Sequence, residues 1–448
     1  MYELSKKKEL DIVPLFQLPQ IIPDVDWMSY MAELVPEDIK EQFQVDSFKI
    51  KVAVWNKNFI NLFAQIFNNK TFFDQKVLSV ITTWLWGKNI LHVYYKDGTN
   101  VTTPEQMCLA ATATHLGPAS ARMYFKEINQ DIENWRHDVI QFYRTIVSAF
   151  RFQLQNADWL TGSDREKIQK KIDRIKFYPG LPGWINNEVE VIRASNRYLF
   201  DTSMSLVEND LRFRGLKLEQ SLRRIVANEN KEQTVTIEPG AHYNPISNTI
   251  KLNFGMLTPP FHHINYPLAV KYGQLGFVIS QELMHALDAD NAGPEKWSPQ
   301  AVQQFEKRQK CIENQYALEG LVKHKFSENL ADIDGLQVAY SAYKFHSQIS
   351  QAEPPLPHVP LKWDALFFLA FARQFCSKLH PVAYSPRDTQ SPEKYRVEVA
   401  LRNVPLFARA YGCPVGSRFA PLKTCSMWGD MRNPSALLAR KLLRSKQF

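Results

Sequence analysis

An apolar segment in the second half of the chain reads Phe277-Val278-Ile279-Ser280-Gln281-Glu282-Leu283-Met284-His285. It has the form of the zinc-binding motif HExxH, except that glutamine stands in the first position. In that motif two histidines four residues apart lie on one helix face and hold Zn²⁺, while the glutamate takes a proton from the metal-bound water. Glu282 and His285 are therefore retained here, and Gln281 replaces the first ligand.

The QExxH pattern is weak on its own, because a glutamate and a histidine three residues apart occur on many helices as a simple ion pair. A second segment downstream, on a separate predicted helix, reads Ser327-Glu328-Asn329-Leu330-Ala331-Asp332. In this spacing Glu328 would supply a third zinc ligand. Asp332, one turn later, would orient a zinc ligand by a hydrogen bond to it. The two segments together predict a metal site or its remnant.

The remaining pattern predicts a mostly α fold with a small β-sheet. We expect residues 1–230 to form a mainly helical lobe, residues 231–428 to form a second lobe, and residues 429–448 to form a basic tail. Alternating residues predict strands at 234–237 and 249–254 around a turn at 244–248. Helical periodicity then predicts helices at about 268–288, 300–344 with a break, and 365–378.

Composition excludes several classes of protein. With 448 residues, 45% hydrophobic and 22% charged, the chain is an ordinary globular one. The longest apolar run, near residues 365–372, is shorter than the ~20 residues that span a bilayer, and the first residues lack the apolar core of a secretory signal. The net charge of +8 is partly due to the last twenty residues, and no finger, knuckle or RNA-recognition signature is present, so we expect no nucleic-acid partner.

The five cysteines form no CxxC pair, which excludes a zinc ribbon and a thioredoxin-type site. Their odd number leaves two alternatives open. Either some remain as thiols, or some form bridges to partners outside this chain.

Several motifs, in order along the chain, resemble those of the neprilysin and endothelin-converting-enzyme family of zinc metallopeptidases. They are Ala241 to Pro245, Tyr272-Gly273 ahead of the QExxH segment, Glu328 to Asp332 with Gly335-Leu336, and Cys425 to Trp428. The resemblance covers roughly residues 100 to 428. It implies a two-lobed, gluzincin-like fold, with the first lobe covering a peptide cleft that admits small oligopeptides.

The resemblance also assigns roles to individual residues. It implies that His285 and Glu328 are zinc ligands, that Glu282 is the general base, and that Asp332 and Asp288 are supporting carboxylates. It implies that Arg396 holds the substrate and that Ala241 lies in an edge strand that pairs with a peptide. It also implies a disulfide between Cys311 and Cys425. It further implies an extracellular location. Cys108, Cys376 and Cys413 match family cysteines whose partners lie in an N-terminal segment, so the resemblance also implies a chain that starts late relative to its relatives.

Three departures from the family pattern fall on functional positions. Gln281 replaces a zinc histidine, and its neutral amide oxygen is a poor zinc ligand. Gln390 replaces the histidine that stabilises the oxyanion, and an amide donates without an imidazolium's charge. Gly240 replaces the asparagine that begins the edge strand.

These departures predict an inactive homologue that binds small peptides or a protein partner and holds zinc weakly or not at all. The first alternative is a working zinc metalloendopeptidase with an altered site, in which Gln281 or water fills the first ligand position. A second alternative is a structural or membrane-associated role through the basic tail, although a solvated tail is the favoured interpretation of residues 429–448.

Overall fold

The computed structural model describes residues 10–68, 74–94, 103–127, 131–227, 235–287, 297–321, 326–377 and 390–429. Within them the chain is mainly helical with two small sheets, which confirms the predicted fold class. None of the helices in these ranges is both long and apolar enough to cross a membrane. Asp288 and residues 430–448 of the basic tail lie outside the described residues.

The strands are β1 Leu10–Pro14, β2 Lys51–Trp55, β3 Lys176–Tyr178, β4 Ala241–Asn244 and β5 Thr249–Leu252. The helices are α1 Leu18–Ile21, α2 Trp27–Leu34, α3 Lys40–Val45, α4 Lys57–Asn68, α5 Gln75–Tyr94, α6 Pro104–His115, α7 Gly117–Glu127, α8 Ile132–Gln155, α9 Gly162–Asp173, α10 Glu188–Ser195, α11 Leu206–Val226, α12 Leu268–Lys271, α13 Phe277–Ala286, α14 Pro299–Leu318, α15 Phe326–Ile349, α16 Trp363–Arg373, α17 Glu393–Arg402 and α18 Pro405–Tyr411.

The described residues form two compact units. One comprises those of Met1–Ser120 and Asn187–Thr234, and the other those of Ala121–Asn186 and Val235–Phe448. The predicted division near residue 230 placed residues 121–186 with the first lobe, whereas in the structure they pack with the second half of the chain. The reason is α8, whose apolar face, including Trp135, Phe142 and Phe150, is buried within the second unit.

The first unit contains an antiparallel pair, β1 with β2, in which Leu10 lies opposite Trp55. Its core is a cluster of buried apolar side chains: Leu15, Leu18, Ile22, Val35, Phe43, Val54 and Leu222. Helices α6 and α11 are joined by a buried hydrogen bond of 2.8 Å between His115 Nε2 and Asp210 Oδ1.

The second unit contains a three-stranded sheet in the order β3-β5-β4. Strand β5 pairs in parallel with β3 and antiparallel with β4, where Ala241 lies opposite Leu252. The prediction of a strand at 234–237 is wrong for its described part, residues 235–237. The antiparallel partner of β5 is instead β4, because Asn244 and Thr249 pair directly across the turn at 245–248.

Helix α13 lies at the centre of the second unit. A π-helical turn, Tyr272–Gly276, joins it to α12, and the side chains of Phe277, Ile279 and Leu283 are buried. Helix α15 packs along α13 at unusually short range, since a Cβ on Gly335 would lie 3.0 Å from the backbone N and Cα of Gln281. Glycine at 335 therefore allows the two helices that carry the predicted site to approach each other.

A disulfide between Cys311 on α14 and Cys425 confirms the pairing that the resemblance implied. It fixes the segment that ends in the buried Trp428. The backbone carbonyl of Met427 in this segment accepts a hydrogen bond of 2.8 Å from Trp159 Nε1. Cys108 and Cys376 are exposed thiols, and Cys413 is a half-buried thiol.

Candidate functional site

Three helices and one strand of the second unit carry most of the predicted site residues, and Gln390 lies just before the third helix. Helix α13 carries Gln281, Glu282 and His285, helix α15 carries Glu328 and Asp332, and helix α17 carries Arg396. Residues four apart on a helix lie on one face, so Gln281 and His285 face the same way. Ala241 begins β4, which packs against α13.

The structure brings His285 and Glu328 together. His285 Nε2 lies 3.5 Å from Glu328 Oε2, and the two side chains are 14% and 26% exposed. The same Glu328 oxygen accepts a hydrogen bond of 3.3 Å from Gln390 Nε2. Two of the implied zinc-site positions and the implied oxyanion position therefore meet at one carboxylate oxygen.

Arg396 is held by two partners. Its Nε and Nη2 donate to Asp332 Oδ2 and Oδ1, each at 2.7 Å, and both side chains are buried. Its Nη1 donates to Gln390 Oε1 at 2.6 Å, and its guanidinium lies 4.8 Å from the ring centre of Phe375. Asp332, predicted to support the ligand at position 281, uses both oxygens to fix Arg396.

Glu282 is almost fully buried, with 7% of the residue exposed. Burial raises the pKa of its carboxyl to about 7, although the charge of His285 and a hydrogen bond from the backbone of Tyr243 act in the opposite direction. A carboxyl with a pKa near neutrality can exchange a proton at neutral pH, which is the property that a general base requires.

Burial alone would lower the pKa of His285, but its hydrogen bond to Glu328 and the charges of Glu282 and Glu328 raise it to about 9. Burial opposes ionisation of Glu328, yet the hydrogen bond with His285 holds the pKa of that carboxyl below its usual range. At neutral pH these two shifts leave an imidazolium and a carboxylate, which carry opposite charges.

The residues fit a zinc ion only in part. Tetrahedral zinc ligands at about 2.0–2.1 Å place neighbouring donor atoms about 3.4 Å apart, which is close to the 3.5 Å between His285 Nε2 and Glu328 Oε2. Gln281 is buried, but its amide supplies neither an imidazole nor a charge. Within the described ranges no group of three or more His, Cys, Asp or Glu side chains is arranged to hold a metal ion.

The β4 strand lies at one edge of its sheet as described, so Ala241 occupies an edge-strand position. Gly240, just before it, accepts a hydrogen bond of 2.8 Å at its carbonyl from the backbone N–H of Asn253. Gly240 has no side chain, and a Cβ there would meet Asn253 Nδ2 at 3.0 Å.

Sequence reasoning missed two contributors to this site. Ser391 Oγ donates to Asn329 Oδ1 at 2.7 Å in the interior, which ties the start of α17 to α15. The backbone of Tyr243 reaches Glu282 from β4. Asn329 stands in the segment Ser327 to Asp332 quoted above, but only the packing of α15 against α17 reveals its contact with Ser391.

A glutamate-bearing helix paired with a QExxH helix, and an edge strand packed against the latter, define a metallopeptidase fold of the gluzincin type. Sequence profiles of peptidase family M13 match residues 4–182 and residues 240–427. These matches together span most of the chain, so the chain belongs to peptidase family M13.

The chain is 30% identical to an endothelin-converting enzyme homolog of Locusta migratoria, over 72% of this chain and 47% of that protein. It is 30% identical to neprilysin-3 of Drosophila melanogaster, over 64% of this chain and 39% of that protein. It is 26% identical to endothelin-converting enzyme 1 of Rattus norvegicus, over 92% of this chain and 57% of that protein. The chain thus spans about half the length of these relatives.

Two solved structures share the fold. A zinc metalloprotease of Mycobacterium tuberculosis in complex with an inhibitor has a TM-score of 0.66 at 17% identity, covering 95% of this chain and 68% of that one. A Haemonchus galactose-containing glycoprotein complex has a TM-score of 0.66 at 22% identity, covering 93% and 66%. At these identities the likeness concerns the fold alone.

Proposed function

We propose that this chain is a non-catalytic member of its family that binds small peptides or a protein partner. The observation that carries the proposal is the amide of Gln281 at the first ligand position. Loss of a supporting residue alone costs roughly 10- to 100-fold in metal affinity or activity, so replacement of a direct ligand costs more. Without a metal-bound water, Glu282 has no acidified proton to accept.

A second departure, Gln390, acts on the same reaction. Gln390 stands where active relatives carry the oxyanion histidine, and its amide contacts Glu328 and Arg396. Oxyanion donors contribute about 10² to 10³ in rate, and a neutral amide is the weaker donor. Two substitutions at chemically distinct positions favour loss of the reaction over a shift in specificity.

The framework for binding a peptide remains. Among the strands that the structure describes, β4 lies at a sheet edge, where an extended peptide can add as a further strand through its main chain. The Cys311–Cys425 disulfide favours an oxidising, extracellular setting. We therefore place the proposed partner, a short peptide or an extended protein segment, outside the cell.

Two observations favour the alternative of a working zinc metalloendopeptidase. The His285–Glu328 donor spacing and the buried Glu282 with its raised pKa are what a zinc peptidase needs. In that case Gln281 or a water molecule would complete the ligand set.

Zinc content of the purified, folded chain tests the proposal. We expect the native protein to hold far less than one equivalent after dialysis against zinc, and the Gln281→His variant to hold about one. A native protein that retains one tightly bound zinc, and cleaves peptides in a manner abolished by Glu282→Gln, would establish the alternative instead.

A further inference from the structure

The side chain of Gln390 contacts the two charged groups that flank it. Its Nε2 donates to Glu328 Oε2 at 3.3 Å and its Oε1 accepts from Arg396 Nη1 at 2.6 Å. An amide can donate at one end and accept at the other, whereas an imidazolium can only donate and would repel a guanidinium. The glutamine at this position is therefore matched to a carboxylate on one side and an arginine on the other.

Gln390 contacts Oε2 of Glu328, and this oxygen belongs to the implied metal site. Oε2 is also the oxygen that lies 3.5 Å from His285 Nε2 and so faces the position between the two implied ligands. A hydrogen bond takes one of the acceptor positions of this oxygen and draws electron density from it, which weakens the oxygen as a metal ligand.

We infer that Gln390 is a polar latch, which holds Glu328 and Arg396 together and weakens, through its hydrogen bond, the carboxylate oxygen that a metal ion would need. The latch links α15 to α17 through Glu328 and Arg396. Gln390 is a positioning residue in this scheme. The inference rests on the proposed function, since it explains how the site stays ordered when its ligand set is incomplete.

The latch also engages the arginine. Arg396 has five N–H groups, of which two donate to Asp332 and a third donates to Gln390. The guanidinium is thereby fixed from two sides, and one donor that could serve a bound peptide is engaged within the chain.

Two measurements test the latch. In the unsubstituted chain, Gln390→Ala should lower the midpoint of thermal unfolding by about 1 to 3 °C, because two hydrogen bonds to charged groups are lost. The matched control is Gln351→Ala, an exposed glutamine in the same unit, which should leave the midpoint unchanged. In the Gln281→His background, adding Gln390→Ala should tighten zinc binding by roughly tenfold, measured by competition with a chelating dye.

The outcomes separate the latch from the proposed function. Zinc affinity that is equal or weaker in the double variant than in Gln281→His overturns the latch, even if Gln281→His itself binds zinc. Failure of both variants to bind zinc contradicts the proposed role of Gln281. In that case the midpoints of thermal unfolding test whether Gln390 acts as a latch. Equal midpoints for Gln390→Ala and the native chain overturn the inference.

Discussion

Arg396 on α17 donates two parallel hydrogen bonds of 2.7 Å to Asp332 on α15, and both side chains are shielded from solvent. This fork geometry is the strongest arrangement of an arginine with a carboxylate. It joins the helix that carries Glu328 to the helix that begins beside Gln390. The ion pair therefore sets the separation of two faces of the candidate site.

Removal of one member of this pair should be strongly destabilising. Arg396→Met leaves the Asp332 carboxylate buried without its partner, and the free energy of unfolding should fall by about 3 to 5 kcal/mol. Urea unfolding followed by circular dichroism measures the change. The double variant Arg396→Met/Asp332→Leu removes both charges and should lose less than the single one. A double variant that is as unstable as the sum of both single variants would show that the two residues do not act as a pair.

The disulfide should make a large contribution of its own. Cys311 and Cys425 are 114 residues apart, and closing a loop of about that length stabilises a fold by about 4 to 5 kcal/mol in the chain-entropy view. Cys311→Ser/Cys425→Ser should therefore lower the urea midpoint markedly. The control is Cys376→Ser, which changes an exposed thiol and should leave the midpoint in place. Equal midpoints for the double variant and this control would contradict the expectation.

Asp334 should make stability depend on pH. Its side chain is fully buried, and burial raises the pKa of the carboxyl to about 7, opposed only in part by a hydrogen bond from the backbone N–H of Met427. Between its unfolded pKa of 3.8 and about 7, the folded state binds a proton that the unfolded state does not. The free energy of unfolding therefore falls as pH rises through this window, by up to about 4 kcal/mol.

Urea midpoints at pH 5 and pH 7.5 measure this dependence. The isosteric variant Asp334→Asn cannot ionise and should show a smaller fall between the two pH values than the native chain. Identical slopes for the two proteins would mean that Asp334 does not titrate in this range.

Much of this architecture could be predicted from local sequence signals. The helix pair at Gln281 and Glu328, the turn at 245–248 and the Cys311–Cys425 bridge all follow from motifs whose members lie close together or match a known family. The contacts of Gln390 could not be predicted, because they depend on how α17 approaches α15. The sequence likewise could not predict that residues 121–186 belong to the second unit, because an apolar helix face does not identify the element that packs against it.

The close approach of α13 and α15 yields the sharpest test of the packing. Gly335→Ala would place a Cβ 3.0 Å from the backbone N and Cα of Gln281, and backbone atoms cannot move aside as a flexible side chain can. Overpacking of this kind costs about 1 to 3 kcal/mol, and it should push α13 away from α15.

Gly215 in α11 offers the matched control, because a Cβ there meets nothing within 4 Å. Gly215→Ala should stabilise the chain by about 0.5 to 1 kcal/mol, since alanine loses less conformational freedom in a helix than glycine. The same substitution is thus expected to have opposite signs at two helical positions. If Gly335→Ala were also stabilising, α13 and α15 would have to lie further apart than the structure places them, and the 3.5 Å approach of His285 to Glu328 would lose its structural basis.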